Sequence, residues 1–364
     1  MLNGKSIAVI VPCFNEEQQI TRVLETMPAF VDLVVVVNDA STDATAAVVR
    51  QFMEADRAPF TPLARLVRQP GSGVYARAEN LALEMERQAE QSLVPTEEVR
   101  LPTSRVVLLN HKRNGGRGAA LANGYCYARA HRAACTATMD GDGQMDPGEL
   151  ESLCRPVIEA RADYCKGNRF KHRSARRAIP RVRYLGNTGL SLLTKIATGY
   201  WRISDTQTGF TALSLEALEN LDVHLMYPRY GSGNDLLQKL NIANFTITEV
   251  PITPHYAVGE QSKLKVSHVA PRLAGLLLRL FLQRLVKKYL VQTFHPLFLL
   301  YLFSLLAFLA DIPLIIRFFY GYFVIGGPIW IAHLTLASIL GIFSFQSLVF
   351  AMWFDINDND RLYV

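Results

Sequence analysis

No Cys-x-x-Cys pair occurs among the five cysteines (Cys13, Cys126, Cys135, Cys154, Cys165), and an odd number cannot close into a complete disulfide set. Neither a disulfide framework nor a structural zinc site is expected, and a reducing compartment is the simpler expectation. Met1–Ser6 lacks a basic stretch leading into a cleavable apolar run, and Ile7–Cys13 is too short for a signal peptide's apolar core. Acidic residues are absent from two windows, Tyr164–Ser204 with ten Lys and Arg, and Gln261–Ala310 with seven. Taking those seventeen from the 38 basic residues leaves 21 against 32 acidic ones, so the formal charge of +6 hides a body at −11. Charge of either sign is missing over the 37 residues Phe318–Phe354, where a helix crossing a bilayer needs only ~20. Half the residues are apolar, which excludes global disorder, and 364 residues suit about one to three domains.

A second apolar run, Pro296–Ile316, is 21 residues long, is interrupted only by Asp311, and is followed by the aromatics Phe318, Phe319, Tyr320 and Tyr322. The two runs predict a transmembrane hairpin with an interfacial aromatic belt. Just before it, Leu278, Phe281, Leu282, Leu285 and Tyr289 recur at helical spacing, with Arg272, Arg279, Gln283 and Lys287 on the other side. This pattern predicts an amphipathic helix in the headgroup layer, and its excess of Lys and Arg places that side in the cytosol. A helix packed on the soluble domain is the alternative. The expected division is a cytosolic domain over 1–262, an interfacial region over 263–293, and a hairpin with a short tail over 294–364. The chain is then a multi-pass membrane protein.

Ahead of the basic helix, Ile7–Val11, Leu33–Val37, Val106–Leu109 and Thr136–Met139 read as buried strands alternating with helices, an α/β domain with a mainly parallel sheet. The polar stretch Arg50–Arg105 is expected to hold one helix, near Tyr75–Ser92, and otherwise loops. Parallel sheets bind ligands at the carboxyl ends of their strands, and here each end supplies carboxylates: Pro12-Cys13-Phe14-Asn15-Glu16-Glu17, Asn38-Asp39-Ala40-Ser41-Thr42-Asp43 and Asp140-Gly141-Asp142-Gly143-Gln144. Two aspartates flanking a glycine, with a nearby amide oxygen, suit a hard cation that shares its shell with phosphate. A calcium loop would use Asp140, Asp142, Gln144 and Glu151, but Met145 stands where that loop needs its sharp-turn glycine. Asp39 and Asp43 suit a nucleobase or ribose, with helix capping as the alternative. The turn Asn114–Ala120 opens a helix and offers backbone N–H groups to a phosphate. The run Lys166, Arg169, Lys171, Arg173, Arg176, Arg177, Arg181, Arg183 points to a lipid phosphate or anionic membrane rather than to nucleic acid.

In this order, these segments resemble family 2 glycosyltransferases, more narrowly the group typified by dolichyl-phosphate mannosyltransferase and bacterial polyprenyl-phosphate glycosyltransferases. The resemblance covers most of Ile7–Lys263. It also draws on Gly167-Asn168-Arg169, Asp205-Thr206-Gln207-Thr208-Gly209-Phe210, Glu249-Val250-Pro251-Ile252 and Ser262-Lys263. It implies a GT-A type domain, a nucleotide-diphosphate sugar donor of the GDP-mannose or UDP-glucose type, and a polyprenyl phosphate acceptor. It further implies Mn²⁺ or Mg²⁺ held by Asp140, Asp142 and Gln144. Donor contacts would fall to Pro12, Asn15, Glu16, Asp39, Arg117 and Asp140, with Asp39 at the base. Arg169, Arg183 and Lys263 would stand near the acceptor phosphate. Asp142, Asp205 and Asp235 are the catalytic candidates, the last two for orienting the acceptor or lining the sugar pocket rather than as assigned bases. Three departures stand out: Asn38-Asp39-Ala40-Ser41 in place of Asp-Asp-Gly-Ser, the long Arg50–Arg105 stretch, and no arginine in His255–Gln261. A processive polysaccharide synthase is the rival enzyme, although its Gln-x-x-Arg-Trp motif is absent. A non-catalytic nucleotide-binding membrane scaffold is the rival from another class, and self-association into a homo-oligomer is left open.

Overall fold

The computed structural model describes residues 1–58, 60–66, 70, 72–171, 181–253, 266–325 and 331–364, with backbone alone for 181–188, 266–269 and 325. Ser262, Lys263, Arg173, Arg176 and Arg177 lie outside the described residues, as does the side chain of Arg183.

The strands are β1 (Ile7–Cys13), β2 (Leu33–Asn38), β3 (Thr96–Arg100), β4 (Val106–His111), β5 (Cys135–Thr138), β6 (Tyr164–Asn168), β7 (Thr211–Ser214) and β8 (Ile247–Pro251). The helices, in chain order, are α1 (Ile20–Glu25), α2 (Thr45–Ala55), α3 (Ala76–Ser92), α4 (Arg117–Ala130), α5 (Leu150–Ile158), α6 (Arg181–Thr198), α7 (Leu215–Asn220) and α8 (Ser232–Ile242), then α9 (Val266–Val286), α10 (Pro296–Tyr320) and α11 (Ile331–Asp360).

One sheet orders the strands β3-β4-β2-β1-β5-β7-β6-β8. Strands β4, β2, β1 and β5 run parallel, with Val9 opposite both Val34 and Ala137. Strand β7 is antiparallel to both neighbours, and β8 is parallel to β6. Continuous apolar runs such as Leu33-Val34-Val35-Val36-Val37 belong in a sheet covered on both faces. Odd and even positions accordingly enter two cores. Val9, Val34 and Val36 meet Val23 of α1, Met53 of α2 and Leu153 of α5, while Ala8, Ile10 and Val35 meet Leu121 of α4 and Leu237 of α8. From β1 the chain continues to β2 on one side and reaches β5 on the other, so the strand order reverses beside the carboxyl end of β1. That is where an open α/β sheet forms its crevice.

The stretch Arg50–Arg105 holds the expected helix as α3, and the expectation of loops elsewhere in it is corrected by β3, antiparallel to β4 at the sheet edge. Thr96-Glu97-Glu98-Val99-Arg100 is polar because it is an edge strand, where charge discourages pairing with another chain.

Helix α9 has three faces rather than the two its pattern suggested. Leu273, Leu276, Leu277 and Leu280 are buried with Ala197 at the end of α6. Leu278, Leu282 and Val286 form an exposed apolar stripe. Arg279, Gln283 and Lys287 make the third. Leu285 and Tyr289, expected on the lipid side, instead bury against Leu297, because the helix turns that side toward α10.

Helices α10 and α11 pair antiparallel, with Ser304 and Ser344 exchanging hydroxyl-to-carbonyl hydrogen bonds of 2.9 Å each. Both are long and apolar enough to cross a membrane. Past α11 the chain returns to the outer sheet edge, where Ile247 N donates to Leu362 O at 2.8 Å and Val364 N to Ile247 O at 3.0 Å. Both ends of the helical pair therefore lie against the sheet domain.

Candidate active site

The carboxyl ends of β1 and β2 are laced to each other. Asn15, at φ 58°, donates its N–H to Ser41 Oγ at 3.0 Å and accepts from Thr42 N at 2.9 Å. Glu16 N donates to Thr45 Oγ1 at 2.9 Å, and Glu17 N to Asp43 Oδ2 at 3.2 Å. Asn38 donates to Asn110 Oδ1 at 3.0 Å. Asn15 and Asp43 thus shape the rim of the crevice, while Pro12 O accepts from Gly141 N at 3.3 Å and ties β1 to the Asp140–Asp142 turn.

Asp39 is 3% exposed. Its Oδ1 takes His111 Nδ1 at 2.7 Å and Gly115 N at 2.7 Å, and its Oδ2 takes Gly116 N at 2.8 Å. Burial pushes the carboxyl up, but these hydrogen bonds outweigh it and hold Asp39 below its ordinary value. The glycine turn is drawn onto Asp39 and, through Ala119 N to Pro228 O at 3.1 Å, onto the loop before α8. A Cβ at Gly118 would stand 2.0 Å from Tyr227 O, so only glycine lets these backbones approach. The expectation that this turn offers its amides to a phosphate is therefore corrected for Gly115, Gly116 and Ala119, whose N–H groups already have protein partners.

A pH prediction follows from Asp39. A carboxyl lowered by folding stabilises the native state above its unfolded pKa, ~3.9, and that contribution is lost as pH falls through the folded value. Asp39→Asn should remove about 2 kcal/mol of charged hydrogen bonding at neutral pH. It should also flatten the acid side of the stability profile. Denaturant midpoints measured from neutral pH down past pH ~4 check both effects.

At the centre, Arg117, the first residue of α4, donates through Nε to Asp140 Oδ1 at 2.8 Å, with Nη2 at 2.7 Å from the same oxygen. Burial alone would lower the guanidinium, but Asp140 holds it above its ordinary value. Asp142 Oδ1 accepts from Gln144 N at 3.0 Å. The buried Cys13 thiol is pushed well above its ordinary value, by burial first and then by Glu16, Asp140, Asp142 and Asp43. The field of these carboxylates at the end of β1 is negative and favours a cation.

The neighbouring wall is built on Asp205, fully buried on the loop before β7. It holds Arg169 by a two-point contact, Nε to Oδ2 at 2.7 Å and Nη2 to Oδ1 at 3.0 Å. Burial raises its carboxyl, and Arg169 outweighs that and lowers it. Glu249 of β8 anchors the same loop, accepting from Ser204 N at 2.9 Å, Asp205 N at 3.1 Å and Asn168 Nδ2 at 2.8 Å. Lys166 of β6 is buried beneath, donates to Thr208 O, and is pulled down to about 8 by burial, partly offset by Asp205 and Glu249. The loop Asp205–Phe210 joins both walls, because a Cβ at Gly209 would come within 2.1 Å of Arg117 Nη2 and 3.0 Å of Asp140 Oδ2.

Thus Pro12, Asn15, Glu16, Asp39, Arg117, Asp140, Asp142 and Gln144 gather at the ends of β1, β2 and β5, with Arg169 and Asp205 across the Asp205–Phe210 loop. Asp235 stands elsewhere. It is on the first turn of α8 with Tyr227 N at 2.9 Å and Lys239 Nζ at 2.6 Å, facing a groove toward α9. His111 and Glu249 were not singled out as site residues from sequence. The signal for His111 was its place at the end of β4, and for Glu249 its place at the head of Glu249-Val250-Pro251-Ile252.

The donor set suits a hard cation in part. Asp140 and Asp142 supply carboxylates and Gln144 lies beside them, while among the described residues no three His, Cys, Asp or Glu side chains gather at one point. A pair of carboxylates that leaves coordination positions for phosphate oxygens is the arrangement expected of Mg²⁺ or Mn²⁺ bound together with a substrate.

The family model for glycosyl transferase family 2 matches residues 8–87 and 92–222. The UDP-N-acetylglucosamine–dolichyl-phosphate N-acetylglucosaminyltransferase of Methanococcus voltae is 32% identical over 152 residues, 42% of this chain. The match spans 60% of that relative's length. An uncharacterized protein of Methanocaldococcus jannaschii is 25% identical over 263 residues, 72% of this chain and 86% of its own. Among solved structures, glucosyl-3-phosphoglycerate synthase from Mycobacterium tuberculosis in complex with uridine-diphosphate is 18% identical, with a TM-score of 0.47 over 77% of this chain and 80% of that one.

Proposed function

Because the chain belongs to glycosyl transferase family 2 and is a glycosyltransferase, we propose that it transfers a hexosyl group from a nucleoside diphosphate sugar to a polyprenyl phosphate at the cytosolic face of a membrane. The observation that carries this reading is the pairing of Asp140–Arg117 with Asp205–Arg169 across one loop, in a domain on which two membrane-length helices are docked. The Methanococcus voltae relative, a dolichyl-phosphate N-acetylglucosaminyltransferase, supports the same acceptor class.

The chemistry is a single displacement. An acceptor phosphate oxygen bonds to the anomeric carbon as the bond from that carbon to the diphosphate breaks, and the nucleoside diphosphate leaves with the electron pair. Configuration at the carbon inverts. A phosphate monoester is already anionic at pH 7, so the site needs no base for this step and must instead position the two reactants. Arg169, held by Asp205 in one orientation, would set its positive charge toward the acceptor phosphate. Glu249 fixes the loop that carries Asp205, and Arg117 sets the orientation of Asp140. Asp39 and His111 shape the turn beside the base pocket, and the buried His111 Nε2, with no hydrogen-bond partner among the described residues, is a ready donor or acceptor there. A divalent cation held by Asp140 and Asp142, with Gln144 beside them, would supply positive charge for the diphosphate leaving group.

The test incubates membranes bearing the protein with Mn²⁺, polyprenyl phosphate and a panel of radiolabelled GDP- and UDP-sugars. Label from one donor should enter the organic phase. No label from any donor, with the protein folded and nucleotide still bound, would defeat the reading.

A further inference from the structure

Between α8 and α9 lies a groove of about 460 Å³ that the transfer chemistry leaves unused. Arg279 and Gln283 of α9, and Lys287 just past its end, are spaced four residues apart and line one wall, and Lys239 and Met226 line the opposite side. Arg279 and Lys287 are exposed and make no hydrogen bond or ion pair among the described residues. Of the groove's two acidic groups, Asp235 is already paired with Lys239 at 2.6 Å, which leaves Asp222 in the lining against the two cations. Its floor is apolar, with Leu276 and Leu280. The exposed stripe Leu278, Leu282, Val286 borders the cationic wall on the same helix. Gln292, also in the lining, is four residues ahead of Pro296, where the first membrane-length helix begins.

A wall with two unpaired cations, an apolar floor, an adjoining apolar stripe and a lining residue four positions from a membrane-length helix match a single ligand class. The geometry points to a binding site for one anionic glycerophospholipid, its phosphate between Arg279 and Lys287 and its acyl chains along Leu282 and Val286. This inference rests on α10 and α11 lying in a bilayer. The site is separate from the transfer crevice, since the loop carrying Tyr227 and Pro228 lies between them. That loop touches the glycine turn at Gly118 on one side and lines the groove on the other. Through Tyr230, whose hydroxyl donates to Gln207 Oε1 at 3.2 Å, the same loop reaches the crevice.

The full chain, purified in detergent and reconstituted into nanodiscs of mixed phosphatidylglycerol and phosphatidylcholine, is re-extracted and its retained lipids are counted by native mass spectrometry. One phosphatidylglycerol per chain should be retained in preference to phosphatidylcholine. Arg279→Gln with Lys287→Gln should weaken retention roughly tenfold or more, as expected for two cationic contacts with anionic lipid, and Arg279→Glu with Lys287→Glu should abolish it. Arg272→Gln, exposed on the same helix outside the groove, should leave it unchanged. Equal retention of both lipids, or unaltered retention in the double variants, would overturn the site. Displacement by inorganic phosphate alone would make it a general anion site, and displacement by polyprenyl phosphate would assign it to the acceptor; either result also overturns the proposal. Alkaline carbonate extraction without detergent tests the bilayer reading separately, because a chain released by it is not membrane-spanning.

Discussion

Asp142→Asn lowers sugar transfer roughly 10²- to 10³-fold, the usual loss when one preorganised charge at a reacting centre is removed, while the protein melts as the wild type does. The substitution keeps the shape of the side chain and an oxygen that can still accept from Gln144 N, the contact Asp142 makes at 3.0 Å. What disappears is one negative charge from the cluster that faces the thiol of Cys13. Nucleotide affinity should become less dependent on Mn²⁺, and the loss should fall mainly on kcat. A variant that transfers at the wild-type rate would remove Asp142 from the site.

The largest stability effect is expected far from that crevice. Arg284 of α9 and Asp355 near the end of α11 are both fully buried, with Nη1 to Oδ1 at 2.6 Å and Nη2 to Oδ2 at 2.8 Å. Arg284 also caps the last carbonyls of α6, reaching Ala197 O at 3.2 Å and Ile196 O at 3.0 Å, and Tyr289 donates to Asp355 Oδ1 at 2.7 Å. Nearby, Lys288 donates to Asn359 Oδ1 at 2.7 Å, as does Asn241 of α8 at 2.8 Å. Helix α9, helix α11 and the sheet domain therefore meet at one ionic joint. Removing one partner leaves a buried charge and freed carbonyls, so Arg284→Met should cost about 3–5 kcal/mol. Arg284→Met with Asp355→Leu should recover much of that, because an apolar pair of similar volume is often neutral. Thermal unfolding of the detergent-solubilised chain measures both. A single variant as stable as wild type would contradict the joint.

The central sheet was legible because Ile7–Val11 and Leu33–Val37 are unbroken apolar runs, the mark of strands covered on both faces. Strand β3 was not, since Thr96–Arg100 has neither an apolar run nor a clean alternation, and only its pairing with β4 defines it. In the site, Asp140 and Asp142 could be read from their place after a strand. The roles of Asp39 and Asp205 could not, because their partners are remote in sequence: His111 stands 72 residues from Asp39, and Glu249 stands 44 from Asp205. Helix periodicity identified α9 as amphipathic, but it could not tell a leucine facing the domain from an exposed one. That distinction depends on where α6, α8 and α10 pack. The return of Leu362–Val364 to β8 had no sequence signal at all, being a backbone pairing across more than a hundred residues.

The most direct measurement reconstitutes the purified full chain with a nucleoside diphosphate sugar and either polyprenyl phosphate or the corresponding polyprenol, and identifies the lipid product by mass spectrometry. The account predicts a glycosyl monophosphate lipid of inverted anomeric configuration and stoichiometric nucleoside diphosphate release with the phosphorylated lipid, and neither with the alcohol. Equal transfer to the alcohol, or nucleotide release with no phosphate-linked sugar in the product, would contradict it.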